Sequence, residues 1–162
     1  MWRQLTSEGD VASLMHAFGA FHDSCLKEAC VSTESYVATN LSMSCPGHLH
    51  TNAHVLFQRQ FKPVSVIELF FEQLTHFTLS PSPEGCDSII HYARVTLEGG
   101  IFSLIGTFTA GPLRLPPGTP SGVWQRQPGT GEFRVAGRRL SWREAPGWLG
   151  SETRYGALEN RV

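Results

Sequence analysis

The residues best placed for chemistry in this sequence are Phe21, His22 and Asp23. A histidine beside a carboxylate can act as an acid–base pair, and both side chains can bind a divalent metal. Adjacent residues on a strand point to opposite faces, which weakens a direct pair between His22 and Asp23. The structural alternative is that Asp23 bonds backbone amides at a turn while His22 packs over Phe21. We favour this structural interpretation.

A second group of histidines follows Cys45 and contains His48, His50 and His54. His48 and His50 are two residues apart, so on a strand they would share a face and could bind one metal ion. Cys45 could add a thiolate. Zinc motifs usually come in two halves, however, and no second cluster with ligand spacing follows. We therefore favour solvated loop histidines and expect no cofactor.

The alternative function is a metal-binding domain or metal-dependent enzyme with a divalent metal held by His22, Asp23, His48 and His50. It requires these four side chains to converge in space. Nucleophilic catalysis is disfavoured, because the sequence has no Gly-x-Ser-x-Gly elbow and no glycine-rich phosphate loop. The balance leans towards a protein that is not an enzyme.

A basic patch near the C-terminus consists of Arg134, Arg138, Arg139 and Arg143, with Trp142 among them. A two-stranded ribbon can enter a major groove, and Arg is a natural phosphate contact. Exposed charge on a hairpin is nevertheless far more common than nucleic-acid binding. We do not expect a nucleic-acid partner.

The longest apolar run, residues 63–79, should organise the fold. Ile67, Leu69 and Phe71 recur at spacing two, which makes one face of a strand almost wholly apolar. A helix over the first part of the run is the alternative, because its apolar residues also match a 3.6-residue period. Since β-branched and aromatic residues dominate, we predict a strand with a bulge near residues 73–75.

One helix and a succession of strands are predicted around this run. The helix covers residues 10–18, with Ser7 or Asp10 as its cap and Gly19 at its end. The Gly99-Gly100 step predicts a tight hairpin. The predicted strands before and after the central run are residues 25–31, 36–45, 51–61, 88–97 and 101–109.

The C-terminal part is predicted to form a hairpin and a tail. Residues 133–144 are predicted to turn at Ala136-Gly137. Residues 148–162 could then close the fold as a short helix or a docked tail. The fold class that follows is α+β, with one twisted, mainly antiparallel sheet, an N-terminal helix and a C-terminal hairpin.

Length and composition favour a single domain over residues 1–162, with a Pro/Gly-rich connection at 111–131 inside it. No run approaches the roughly 18 apolar residues of a membrane helix. The first ten residues lack the apolar core of a signal peptide. The four cysteines contain no CxxC pair, so we expect thiols and a cytoplasmic protein.

The Phe21-His22-Asp23 motif and the strand order that follows it resemble small bacterial proteins that open with an FHD-type motif. Some of these are grouped with immunity proteins of toxin–immunity systems. The resemblance covers residues 18–105 in pattern. It implies a mainly antiparallel β protein that acts by binding another protein, without a cofactor and without catalytic residues. The function expected from the sequence is therefore a protein-interaction module, immunity-like in kind.

Overall fold

A computed structural model of the chain describes residues 1–47, 50–83, 86–108 and 131–155. Short 3-10 helices cover Gly19–Phe21 and Pro146–Trp148. The α-helix and the strands are α1 (Glu8–Ala17), β1 (Arg3–Gln4), β2 (Ser24–Thr33), β3 (Tyr36–Val37), β4 (Met43–Ser44), β5 (Thr51–Arg59), β6 (Val66–Ser80), β7 (Ile89–Glu98), β8 (Ile101–Phe108) and β9 (Glu132–Glu144).

The main sheet is antiparallel and closes on itself. Its strand order is β1-β9-β6-β5-β2-β7-β8, and β8 also pairs with β9. The N-terminal half of β9 pairs with β8, and the two-residue β1 pairs with β9 beyond that point. The pairing between β2 and β7 is short, since these strands pair only at Ser24 and Cys25. The predicted α+β fold with a mainly antiparallel sheet and an N-terminal helix is confirmed.

The central run is strand β6, which pairs with β5 on one side and β9 on the other. Ile67, Leu69 and Phe71 are all completely buried in the main core. The register with β9 shifts between Leu74 and His76, where the strand contains a bulge. The prediction of a strand with a bulge in this region is therefore confirmed. The helix alternative is wrong, because both edges of the run are occupied by neighbouring strands.

The helix α1 packs against β7 and adds Val11 and Leu14 to the core. Ser7 caps it, since its hydroxyl accepts the backbone N–H of Asp10 and the Asp10 carboxylate accepts the backbone N–H of Ser7. This reciprocal pair is a capping box. Next, Gly99 and Gly100, with φ of 56° and 76°, form the predicted tight turn between β7 and β8.

Two predicted elements are wrong. Residues 36–45 are not a strand of the main sheet, because only β3 and β4 form there, as a separate two-stranded sheet. The C-terminal hairpin is also wrong, since β9 is one strand through Ala136 and Gly137. At Gly137 the backbone of β9 lies very close to that of β6, because an added Cβ would lie 2.8 Å from the carbonyl oxygen of Glu72.

The Pro/Gly-rich connection lies outside the described residues, except for Gly131. Within the described ranges, none of the helices has the length and apolar character needed to span a bilayer. The predicted docked tail is present as far as Tyr155, where the described residues end.

Candidate functional site

The FHD motif forms a turn with unusual backbone geometry. Ala20, Phe21 and Asp23 have φ of 53°, 63° and 54°, in the left-handed region that non-glycine residues seldom adopt. Each such residue costs roughly 1–2 kcal/mol. Burial of Phe21 offsets this cost, because its ring packs against Phe18 and Phe57 with centroids 5.1 Å and 5.0 Å away. The motif is therefore anchored by its aromatic member.

The turn brings His22 and Asp23 into contact. Nδ1 of His22 lies 3.2 Å from Oδ2 of Asp23, and both side chains are half exposed. Neighbouring residues on a strand would face opposite sides, but His22 and Asp23 precede β2, which begins only at Ser24. The ring of His91 on β7 lies nearby, with its centroid 5.5 Å from that of His22.

The predicted four-residue metal site is not assembled by its described members. His50 pairs with Glu34, with Nδ1 2.6 Å from Oε2, at the far end of β2 from His22 and Asp23. The 10 residues of β2 span about 30 Å. His48 lies outside the described residues. In the described part of the chain, no three His, Cys, Asp or Glu side chains group to hold a metal ion.

A groove of about 400 Å³ opens beside the FHD turn. Arg59 contributes to it but serves the fold, since its guanidinium donates to the carbonyl oxygens of Val64 at 2.5 Å and Ala17 at 3.1 Å. The Ala17 contact places a cation at the C-terminal end of α1, where the helix dipole favours positive charge. The groove is lined by Asp23, Ser24, Cys25, Gln58, Arg59, Gln60, Ile89 and Leu149.

Glu68 is a charged residue in an unusual environment, because its side chain is 0% exposed. It lies on the outer face of β6, opposite the main core. Three groups approach its carboxylate: Nδ1 of His54 at 2.8 Å, Nε of Arg143 at 2.7 Å and the hydroxyl of Tyr155 at 2.8 Å. Nη1 of Arg154 also contacts it. We call these five residues the Glu68 network.

Burial by itself would raise the pKa of Glu68. The hydrogen bonds from Arg154, Tyr155, Arg143 and His54 outweigh that effect and lower the pKa to about 2. Burial, together with the hydrogen bond to Glu68, raises the pKa of the Tyr155 hydroxyl. At neutral pH the carboxylate is therefore ionised and the phenol is a hydrogen-bond donor.

The tail that carries Arg154 and Tyr155 is fixed to the outer face by polar contacts. We call residues 151–155 the strap. The two carboxylate oxygens of Glu28 accept the backbone N–H groups of Arg154 and Tyr155, both at 2.7 Å. Lys27 donates to the carbonyl oxygen of Ser151 at 3.0 Å. The strap therefore crosses β2 on its way to the Glu68 network on β6.

Aromatic side chains outside the strap also border the network. The His54 ring stacks on Phe70 with centroids 4.3 Å apart. Trp2 packs against Phe70 at 5.9 Å, and the guanidinium of Arg143 lies over the Trp2 ring at 4.6 Å. These contacts hold two of the Glu68 partners in place and reduce their access to water.

The predicted basic patch is divided along β9. Arg143 pairs with the buried Glu68, and Nη1 of Arg139 lies 3.8 Å from Oε1 of Glu72. Arg134 and Arg138 are exposed. Because the four arginines lie along a single strand and two of them face carboxylates, they do not form the hairpin surface that the sequence predicted.

Sequence reasoning missed the Glu68 network. One signal was available, because Glu68 is a charge in the middle of the most apolar run, where it needs a partner. Nothing in the local sequence distinguishes Arg154 and Tyr155 as those partners. Comparison of this chain with protein-family models, with curated proteins and with solved structures found no match.

Proposed function

We propose that this chain is a protein-binding module and that it contacts its partner through an apolar arm, residues 36–44. One observation carries the proposal. Four large apolar side chains of the arm face solvent, with exposures of 62% for Tyr36, 58% for Val37, 83% for Leu41 and 73% for Met43. Several large apolar side chains exposed on one short hairpin are typical of interaction sites.

The arm has a defined shape although its apolar side chains are not buried. Val37 pairs directly with Met43, so the two side chains share a face of the small sheet. Asn40 closes the turn, since its side-chain oxygen accepts from the backbone N–H of Ser42 at 3.1 Å and from the Ser42 hydroxyl at 2.7 Å. A surface that is ordered before binding loses less entropy on association.

The chemistry of the arm indicates what the partner presents. Residues 35–45 contain no charged side chain, so the matching surface is expected to be apolar and uncharged at its centre. A toxin neutralised by this protein, as the immunity-like resemblance implies, is the specific form of partner that we propose. The four cysteines are unpaired thiols, which supports a reducing, cytoplasmic setting for this binding.

The test places a photo-crosslinking residue at Leu41 of the full-length protein in the cells that express it. We expect one protein to be captured, and the capture to disappear when Val37 and Met43 are changed to Ser. The matched control is Ile105→Ser, at an exposed apolar position on β8, which should leave capture unchanged. The proposal would be contradicted if capture persisted in the variant with Ser at positions 37 and 43. Equal capture by a crosslinking residue at position 105 would also contradict it.

A further inference from the structure

The strap lies on the outer face of β2, β5 and β6 in the way that a bound peptide would. We propose that this face is a peptide-recognition groove, occupied here by the chain's own strap, and that an extended segment with an Arg-Tyr pair from a partner protein takes its place. We call it the strap groove and define it by Lys27, Glu28, His54, Gln58 and Glu68. The inference deepens the proposed function by naming a second binding surface, and it can be tested without the arm.

The groove recognises backbone as well as side chains. Glu28 accepts two consecutive backbone N–H groups at positions 154 and 155, which aligns that part of the strap. Gln58 donates to the carbonyl oxygens of Trp148 at 2.5 Å and Gly150 at 3.0 Å, and Lys27 donates to that of Ser151. Trp148 belongs to the 3-10 helix before the strap. The other contacts use main-chain atoms of residues 150–155, so another segment that follows the same path could make them.

Glu68 determines which peptide side chains the groove prefers. The guanidinium of Arg154 and the hydroxyl of Tyr155 both reach its buried carboxylate. Two carboxylates, Glu28 and Glu68, therefore face a strap that directs one cation, Arg154, and one phenol, Tyr155, into the groove. This complementarity favours a ligand with Arg followed by Tyr, because Arg offers directed donors to a carboxylate and Tyr adds a neutral one.

The strap is suited to exchange. None of residues 149–155 is buried, so polar contacts, which another peptide can reproduce, hold the strap on the surface. Gly150 has φ of 114°, a conformation that glycine adopts readily and that can act as a pivot. Two partners of Glu68 lie outside the strap, namely Arg143 at 2.7 Å and His54 at 2.8 Å. We therefore expect the Glu68 carboxylate to stay paired when the strap leaves the groove.

The experiment measures binding of a labelled peptide with the sequence of residues 150–155, acetylated and amidated, to the full-length protein. In the wild type the strap competes at high effective concentration, so the peptide should bind weakly. In the full-length Arg154→Ala variant the strap is weakened, and we expect at least a tenfold gain in affinity. The control variant Arg138→Ala removes an exposed arginine of β9 and should behave as the wild type. A peptide with Ala in place of its Arg should bind neither protein.

A second, milder variant tests the same proposal if Arg154→Ala does not fold. Tyr155→Phe removes one hydroxyl from the network and should raise peptide affinity about fivefold, whereas Tyr92→Phe, at an exposed tyrosine of β7, should not. The proposal would be overturned if all of these proteins bound the peptide with equal affinity. It would also be overturned if the peptide with Ala in place of Arg bound as tightly as the original peptide. The strap of a second copy of this chain is the other possible occupant of the groove. Native mass spectrometry of the wild type tests for it by detecting dimers. Dimers lost in Arg154→Ala would assign the groove to a second copy's strap and overturn the partner assignment.

Discussion

Glu68 shows how a single residue can tie distant parts of this chain together. Its carboxylate is buried, and it holds its charge because donors from β5, β9 and the strap surround it. A buried charge is tolerated only with such partners, and removing the charge leaves the partners unsatisfied. The network therefore matters for stability whether or not the strap groove binds a peptide.

The first prediction concerns Glu68→Gln and pH. The pKa of Glu68 is lowered from 4.5 to about 2 on folding, so the carboxylate stabilises the fold fully above pH 4.5 and loses this effect as pH falls towards 2. We expect the variant to be less stable than the wild type by about 3 kcal/mol at pH 7. Chemical denaturation at pH 7, 4 and 2.5 should show that difference shrinking.

The matched control is Glu98→Gln, which changes an exposed carboxylate at the end of β7. Its effect on the free energy of unfolding should stay within about 0.5 kcal/mol at every pH. A Glu68→Gln deficit that does not depend on pH would show that loss of shape, and not loss of charge, causes the destabilisation.

The second prediction concerns Phe71, which β6 directs into the main core and which is completely buried. Phe71→Ala should lower the free energy of unfolding by roughly 3–5 kcal/mol, since it removes apolar contact and leaves a cavity. Denaturant titration gives the value. Phe61→Ala, at a residue that is 52% exposed, should cost less than about 1 kcal/mol. Similar losses for both would mean that the core is not where β6 places it.

Among the strands, the pairing of β8 with β9 that closes the sheet includes a tightly packed glycine. Gly106 on β8 pairs directly with Phe133 on β9. An added Cβ at Gly106 would lie 2.2 Å from the Phe133 ring, so the ring occupies the space that a side chain would need. The ring is itself enclosed, since Phe57 and Phe108 pack against it at 5.8 Å and 5.5 Å.

The third prediction is therefore that Gly106→Ala destabilises the protein by about 2 kcal/mol or more, because the Phe133 ring must move within a packed core. The melting temperature should fall in parallel. Gly47→Ala is the control, since an added Cβ there has no neighbour within 4 Å. Tolerance of alanine at position 106 would indicate that β8 and β9 separate easily.

Across the whole molecule, one core connects the helix to the six strands that form the closed ring, which are β2, β5, β6, β7, β8 and β9. Leu14 and Phe18, Val55 from β5, Ile90 from β7 and Leu104 from β8 belong to the same buried cluster. A second, smaller cluster on the outer face contains Leu56, Val66 and Ala145. Because strands are shared between the two clusters, neither can unfold alone.

The fourth prediction is a single cooperative unfolding transition. Far-UV circular dichroism, which follows the sheet, and tryptophan fluorescence, which includes the buried Trp142, should give coincident denaturation curves. Two separated transitions would mean that the sheet and its outer-face contacts unfold as independent units.

Strands and turns that are specified by local residue patterns could be predicted from the sequence. Apolar residues at every second position, Ile67, Leu69 and Phe71, predicted strand β6. The Gly99-Gly100 step predicted the turn between β7 and β8. Local patterns failed where they had no packing partner. Residues 36–45 alternate like a strand, but the arm stands outside the main sheet. Likewise Ala136-Gly137 reads as a turn, but it lies inside β9 between two neighbouring strands.

The closure of the sheet and the surroundings of Glu68 depend on the three-dimensional arrangement of the strands and could not be predicted from local sequence. Arg143 is 75 residues from Glu68, and the strap amides are 126 and 127 residues from Glu28. At such separations no spacing rule relates the partners, because their meeting depends on strand order and register. Those in turn follow from burying one common core, which is a property of the whole chain and not of any segment.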